Sequence, residues 1–485
     1  MNYKIISRII GSTVLIEDFF MIVPMLICVF DNEIPVAISF LNPMLIMLLT
    51  GTAFIYLGRG ADRNFYMQES FAATGLSWIV MSFFGALPFY MSQQIPHFSD
   101  AFFEIVSGFT TTGASILSDV EALSRGILYW RSFSHWLGGM GVLVFMLAIV
   151  PASGKASGFS MHLMQAESPG PSVGKLTPKL KRTALILYGL YIALTILNII
   201  FLLLGGMPLF EALCTAYGTA GTGGFGVLNS SLGEYSPYLQ TVTSVFMWLF
   251  GVNFSLYYLL LLGKIRYVLK NDELKLYFGV TVLSVFLIAI NITDMMGSFF
   301  KALHHSFFQV SSIITTTGFS TADFALWPSF SRAILMTLMC FGACAGSTGG
   351  GIKMARVALL FKSAKRNISK TMHPRRIQAV HMNGEVVNEQ VLHNVNAYLG
   401  IYCMIAIISF IAISIDDYSI GTNISAVLAC FNNIGPGFEA VGATCNYSIY
   451  STFSKLVLTA DMLLGRLEIF PILMLFGKST WNRLK

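Results

Sequence analysis

Apolar runs of 18 to 25 residues recur along this whole 485-residue chain. Each is long enough to cross the ~30 Å hydrocarbon core of a bilayer as a helix. Charge is correspondingly scarce: 30 Lys and Arg oppose 24 Asp and Glu, a net +6, and charged residues make up 11% of the chain while hydrophobic ones reach 55%. A soluble domain carries about 25% charged residues, so this chain lacks the charge to coat a water-facing surface. A soluble enzyme, a disordered protein and a nucleic-acid binder are excluded, the last because the small basic excess is spread through inter-helix loops. The seven cysteines contain no C-x-x-C pair, which argues against a zinc site or disulfide framework. Cys340 and Cys344 read as small core residues.

Ten spans are expected, near 9–30, 40–58, 71–91, 127–150, 182–205, 238–263, 276–296, 331–361, 394–415 and 455–477. The first resembles a signal peptide, with Lys4 and Arg8 ahead of it, but Glu17 and Asp18 interrupt it and no small-residue cleavage site follows. It is read as a retained helix. Basic residues gather in alternate connections: Arg59 and Arg63; Lys175, Lys179, Lys181 and Arg182; Lys264, Arg266, Lys270 and Lys275; Lys362 through Arg376. The positive-inside rule then places both termini in the cytoplasm, and an even number of crossings agrees.

Four further apolar segments, near 99–112, 208–222, 302–317 and 422–434, have about a dozen residues each. As helices they would rise roughly 18 Å, too little to span. Each ends in a glycine-bearing irregular stretch, the pattern of a re-entrant helix, whose non-helical backbone must line a cavity. Two of them repeat: DAFFEIVSGFTTTGAS (100–115) aligns with HSFFQVSSIITTTGFS (305–320), placing Gly113 over Gly318. FEALCTAYGTAGTGGF (210–225) and TNISAVLACFNNIGPG (422–437) fit more loosely, with Gly223 and Gly435 set in register. The expected architecture is an all-α membrane protein of ten transmembrane and four re-entrant pore helices. Two leading helices (1–65) precede four helix–pore-helix–helix units, at 66–155, 156–270, 271–366 and 367–485. The units run in parallel, so they would enclose one pore, unlike inverted repeats that rock against each other.

Four re-entrant helices would aim their C-terminal ends at the bilayer midplane, each carrying about half a negative charge. The loops that follow need φ values that glycine adopts cheaply. Backbone carbonyls of Thr111, Thr112, Thr222, Thr316, Thr317, Asn433 and Ile434, beside Gly113, Gly223, Gly318 and Gly435, are the expected ligands of a dehydrated monovalent cation. No carboxylate ring is present, which argues against a calcium-type pore. Taken singly, each glycine could be an ordinary helix cap; four in register favour the filter.

The T-T-T-G-x-S stretches, G-T-A-G-T-G-G-F (218–225), N-N-I-G-P-G (432–437), G-S-T-G-G-G-I-K-M-A-R (346–356) and G-R-L-E (465–468) resemble the Trk/Ktr/HKT superfamily of potassium transporters. Within it, the chain is most similar to the bacterial Trk membrane subunit, which also has two extra N-terminal helices. The resemblance covers essentially the whole chain. It implies potassium (K+) as the transported ion, a plasma (inner) membrane location, a homodimer with one pore per protomer, and a cytoplasmic nucleotide-binding regulatory ring as partner. Gly113 matches the potassium-selective pattern, in which a serine would suggest sodium.

Residues 331–361 are too long for one plain helix, and the stretch 342–351 is crowded with glycine, at about 1 kcal/mol per Gly relative to Ala in a helix. Small residues would also suit a tight helix crossing. The resemblance instead implies an intramembrane gating loop below the filter, made of Gly346, Ser347, Thr348, Gly349, Gly350 and Gly351, with Lys353 and Arg356 following. Arg466 lies within the last expected span, where an unpaired charge costs at least ~2.5–3.5 kcal/mol. It is expected to project into the pore as an electrostatic barrier, or else to form a static salt bridge with Asp461 or another helix. Glu468, roughly 200° further around a continuous helix, is expected to contact the 346–353 loop.

Gly221-x-Gly223-x-x-Gly226 matches a dinucleotide fingerprint only as a pattern, with no preceding strand and no acid about 20 residues later. Gly346 to Gly351 with Lys353 misses the phosphate-loop spacing. His135, His304 and His305 offer no metal spacing. The basic stretch 362–376 fits a positive-inside loop, a dock for the regulatory partner or a contact with anionic membrane lipid. The alternative functions are a sodium-permeable or sodium-coupled relative of the same fold, and an intramembrane enzyme. For the enzyme, the scattered Glu17, Asp18, Asp294 and Asp461 supply no catalytic constellation.

Overall fold

The computed structural model describes residues 1–60, 66–141, 180–373, 375, 378–477 and 481. The leading helices α1 (Tyr3–Phe30) and α2 (Ile34–Leu57) form an antiparallel hairpin. They approach closely at Gly11, where a Cβ would lie 2.7 Å from the Gly51 carbonyl oxygen; small residues at the crossing allow this. Then come α3 (Met67–Met91), the short α4 (Phe98–Phe109) and α5 (Arg125–Gly139). The next group is α6 (Leu180–Leu204), the short α7 (Leu209–Gly221), α8 (Pro237–Phe250) and α9 (Phe254–Leu261), followed by a one-turn connector, α10 (Ile265–Lys270). A third group holds α11 (Asp272–Met296), the short α12 (Phe299–Ile314), α13 (Ser329–Met339) and α14 (Met354–Met372). A surface hairpin, β1 (His381–Met382) and β2 (Glu385–Val386), leads to α15 (Glu389–Ile413), the short α16 (Ile420–Phe431), α17 (Thr452–Arg466) and α18 (Phe470–Phe476).

Six described helices are long and apolar enough to cross a membrane, or seven if the bent pair α8–α9 is one span. Their outward faces carry exposed Leu45, Leu49, Ile196, Ile200, Phe278, Leu283, Ile290, Ile407 and Ile411. In water such faces would be severe aggregation hazards; against lipid they are the expected surface. The protein is a multi-pass membrane protein.

Three of the expected spans are broken, one of them, 331–361, where its glycine-rich stretch leads one to expect it. The 238–263 span bends by 91° between α8 and α9, because Gly251 ends one helix and Asn253 caps the next, its side chain accepting from Ser255 N–H at 2.8 Å. The 331–361 span is α13, an irregular loop and α14, which runs on to Met372. The 455–477 span stops at Arg466 and resumes at Phe470, with Glu468 and Ile469 both at positive φ (53° and 73°) and Pro471 opening α18. Hydropathy registers apolar content and is blind to such breaks. The end of the 127–150 span, the Lys175 and Lys179 cluster, Arg63 and Arg376 lie outside the described residues.

The short helices sit at the centre, packed between their longer neighbours. Phe103, Phe109, Trp130 and Phe225 are fully buried there. Gly138 lets α5 press on the end of α4: a Cβ would overlap the Phe109 carbonyl oxygen. Gly189, in α6, has nothing within 4 Å of the equivalent position. Gly138→Ala is therefore expected to lower stability by about 1–3 kcal/mol through overpacking. Gly189→Ala should leave it unchanged or raise it by up to ~1 kcal/mol. The thermal midpoints of the two variants in detergent check this contrast.

Candidate functional site

The four short helices end in one way. The N–H groups of Thr112, Gly223, Thr317 and Ile434 donate to the carbonyls of Ser107, Gly218, Ser312 and Ala429, each at 2.8 Å and five residues back. This is the Schellman closure of a helix. It puts the preceding residue in the left-handed region: Thr111 (φ 57°), Thr222 (56°), Thr316 (59°) and Asn433 (56°). A left-handed threonine costs on the order of 1–3 kcal/mol, so three of them at equivalent places mark a geometry held by its surroundings. The residues two further on are Gly113 (φ 80°), Gly224 (77°), Gly318 (88°) and Gly435 (95°).

These endings touch in a closed circle. A Cβ on Gly113 would overlap the Gly223 carbonyl oxygen, one on Gly224 that of Thr317, and one on Gly318 that of Ile434; one on Gly435 would lie 2.6 Å from that of Thr112. Each loop thus lays its glycine against the carbonyl of the next, and the fourth returns to the first. Side-chain polar atoms are tied back into the protein. Thr110 and Thr112 share a hydroxyl bond at 2.8 Å, as do Thr315 and Thr317 at 2.7 Å, while Asn433 Nδ2 donates to Thr112 Oγ1 at 3.0 Å and to the Met462 carbonyl at 2.9 Å.

The second unit corrects the sequence register by one residue. Gly224, not Gly223, is the positive-φ glycine equivalent to Gly113, and Gly223 occupies the carbonyl-bearing position of Thr112, Thr317 and Ile434. Two adjacent glycines made that register ambiguous. Gly223 is glycine for another reason: its Cβ would overlap the His135 ring. His135 Nδ1 lies 2.8 Å from the Gly108 carbonyl, and Nε2 accepts the Phe225 N–H at 3.3 Å; a neutral imidazole satisfies both.

On one side of the ring, Gly113, Gly224, Gly318 and Gly435 line a cavity of about 150 Å³ that Arg131 and Tyr447 also reach. Tyr447 Oη donates to the Gly435 carbonyl at 2.7 Å. Arg131 and Glu104 form a buried ion pair at 2.6 Å. Glu104 also accepts from Ser115 Oγ and Ile116 N–H, both at 2.9 Å, and Arg131 donates to the Gly226 carbonyl at 3.0 Å with its guanidinium over the Phe225 ring. The pair braces the backbone after the first two ring segments. Sequence reading missed it, although an acid in an apolar short helix and an arginine in a span were the signal. The repeat offset puts the buried amide Gln309 where Glu104 stands.

On the other side lies the irregular loop between α13 and α14. Gly350 N–H donates to Thr316 Oγ1 at 2.6 Å. Gly349 faces the Thr315 carbonyl and Gly350 that of Asn432, so side chains there would strike the ring from below. Ser347 Oγ donates to the Cys344 carbonyl at 2.6 Å, and Thr348 Oγ1 to that of Phe250 at 3.3 Å. Lys353 Nζ donates to the Gly349 carbonyl, and Gly346 and Gly351 take positive φ (72° and 65°). Arg466 donates to the carbonyls of Thr348 at 2.7 Å, Gly139 at 2.6 Å and Gly138. It therefore joins the loop to the C-terminus of α5, where helix carbonyls favour a cation. Asp461 instead accepts from Ser409 at 2.7 Å. Glu468 pairs with Arg356, within the first turn of α14, and its charge also bears on Lys353 at the end of the loop. Because α17 stops at Arg466, its placement follows the break and not a helical projection.

A family model described as cation transport protein, TrkH, matches residues 38–482. The chain belongs to the TrkH cation transport family. This is a family of transporters, not of enzymes. The chain is 33% identical to the Trk system potassium uptake protein TrkH of Salmonella typhimurium, over 99% of this chain and 100% of that one. It is 33% identical to the Trk system potassium uptake protein TrkG of Escherichia coli, over 99% of each. The crystal structure of the potassium transporter TrkH from Vibrio parahaemolyticus superposes with a TM-score of 0.87 at 29% identity, covering 99% of this chain and 100% of that one.

Two acids hold the segments after the first and fourth ring elements of this chain. A hydrogen bond from Asn229 keeps the Asp119 carboxyl below the usual range, and one from Ser419, then Thr422, does the same for Glu439. Groups depressed in the folded state add stability above their unfolded pKa, about 3.9 for Asp and 4.3 for Glu. That contribution is lost as pH falls through the lower folded values. Amide exchange at 118–122 and 438–442 is therefore expected to be steady from pH 7 to 5, relative to the intrinsic rate, and to accelerate below pH 4. Asn229→Ala should remove the acid dependence at 118–122 only.

Proposed function

We propose that the chain takes up potassium across the bacterial inner membrane, through a channel-like pore whose selectivity filter is the ring of backbone carbonyls. The single observation that carries this reading is the closure of the ring, in which four equivalent helix ends each set a glycine against the next segment's carbonyl. Each end contributes about half a negative charge, so four together attract a cation and repel an anion without a carboxylate. Carbonyls of Thr111, Thr112, Thr222, Gly223, Thr316, Thr317, Asn433 and Ile434 replace the hydration shell of the ion. Gly113, Gly224, Gly318 and Gly435 make that backbone conformation and close approach possible. The relatives named as potassium uptake proteins of the Trk system support this choice of ion.

In this reading the loop 346–353 is the gate below the filter, and Arg466 supplies a positive charge that opposes passage until loop and arginine move together. Ten transmembrane and four pore helices in four parallel units surround the pore, both termini face the cytoplasm, and the protein works as a homodimer. A cytoplasmic nucleotide-binding ring docks on the basic surface and sets the gate. The family's Trk system naming and the basic alternate connections support this arrangement.

Purified subunit in liposomes is expected to pass rubidium in preference to sodium, without needing sodium. Rubidium uptake that requires sodium would favour the sodium-coupled alternative. Arg466→Gln should raise rubidium uptake severalfold; unchanged or lower uptake in folded protein counts against the barrier role. Gly113→Ser, which pushes a side chain at the Gly223 carbonyl, should lower the preference for rubidium over sodium in the same assay.

A further inference from the structure

We infer that Glu273 is a positioning residue for the gating loop, and that Asp272 beside it ties the same helical turn to the β1–β2 surface hairpin. This rests on the gating reading above and deepens it. One carboxylate oxygen of Glu273, in the first turn of α11, accepts from Ala345 N–H at 2.6 Å and from Ala355 N–H at 2.9 Å. Those amides stand on the two shoulders of the loop. Ala355 belongs to the first turn of α14, whose N–H groups have no partner within their own helix. The base of the loop is closed by Gly342 N–H to the Ile352 carbonyl at 2.7 Å and Met354 N–H to that of Ala343 at 3.1 Å. Glu273 fastens that closed base to α11, and its side chain is buried.

Asp272 makes a second set of bonds from the same turn. Its N–H donates to Asn383 Oδ1 at 2.8 Å, and Asn383 N–H returns a bond to Asp272 Oδ2 at 3.1 Å. Lys362 Nζ, on α14, donates to Asp272 Oδ2 at 2.5 Å and to the His381 carbonyl at 2.8 Å. Asn383 and Gly384 form the hairpin turn with φ of 53° and 86°, the left-handed pair of a type I′ turn. Two adjacent acids therefore connect a surface hairpin to both ends of the loop. A displacement of the hairpin is passed to the loop base through one turn of α11.

The test is rubidium uptake by purified subunit in liposomes, with amide exchange over residues 343–355. Glu273→Ala is expected to raise basal uptake at least threefold and to speed exchange at Ala345 and Ala355. Glu273→Gln, whose amide oxygen can still accept both N–H groups, should stay within twofold of wild type in both. Should the alanine variant fail to fold, Glu273→Asp carries the same expectation as alanine, because its shorter reach cannot serve both amides. Uptake at or below wild type, or a glutamine variant that behaves like alanine, overturns the role of Glu273. Asn383→Ala should speed exchange at Ala345 and Ala355; wild-type exchange there overturns the hairpin link. Deletion of Thr348–Gly350 separates the two levels. If it leaves uptake unchanged, the gating reading itself fails; if it raises uptake while Glu273→Ala does not, only the present inference fails.

Discussion

The structure depends on the absence of four side-chain atoms. Where each short helix ends, a glycine lies so close to its neighbour's carbonyl that a single Cβ would collide with it. That contact closes the ring, and it goes with the way the four short helices end. The local strain is large for its size, since three threonines sit in a left-handed conformation that β-branched residues avoid. It persists because the five-residue closing bond, the hydroxyl pairs between neighbouring threonines and the packing of His135 all specify the same backbone. Small local costs are distributed over four copies, and none stands without the others.

Much of this was legible in the sequence because it depends on segment length and on repetition. The short helices were readable from their inability to cross a bilayer, and T-T-T-G-x-S fixed the first and third endings residue by residue. The second ending was legible only to within one position: Gly223 and Gly224 are chemically identical, and only the backbone distinguishes the glycine that turns from the one that yields to His135. The broken helices were not legible from hydropathy, because α8–α9 and α17–α18 are apolar on both sides of their breaks. The pairing of Glu468 with Arg356 was hidden by the same blindness, since a helical projection has no meaning beyond Arg466. Long-range polar partners such as Glu104 with Arg131, or Glu273 with Ala345 and Ala355, are 27 to 82 residues apart, and nothing local announces them.

Charge is used sparingly, and around the irregular loop much of it is set against backbone. Arg466 and Lys353 donate to loop carbonyls, and Glu273 accepts from loop amides. Irregular backbone at membrane depth has unmet donors and acceptors, and each costs several kcal/mol if left alone in hydrocarbon. Side chains from two other helices, with Lys353 of the loop itself and Thr316 of the ring, meet some of those needs, which lets a glycine-rich loop hold a defined shape without being helical. The side-chain ion pairs Arg131–Glu104 and Arg356–Glu468 lie at the margins, bracing the segments on either side.

If the loop is the gate and the ring the filter, as proposed above, the bond from Gly350 to Thr316 makes the obstruction and the sieve share a component. Were the loop to withdraw as proposed, the third ring segment would lose the partner of its left-handed threonine and the fourth the close approach of Gly350 to the Asn432 carbonyl. Permeation and discrimination are then not separable settings of this molecule. On that reading, a conformation with the passage clear is also one in which the fourfold circle has lost its brace along one side, so an entering ion would meet a subtly lopsided set of oxygens.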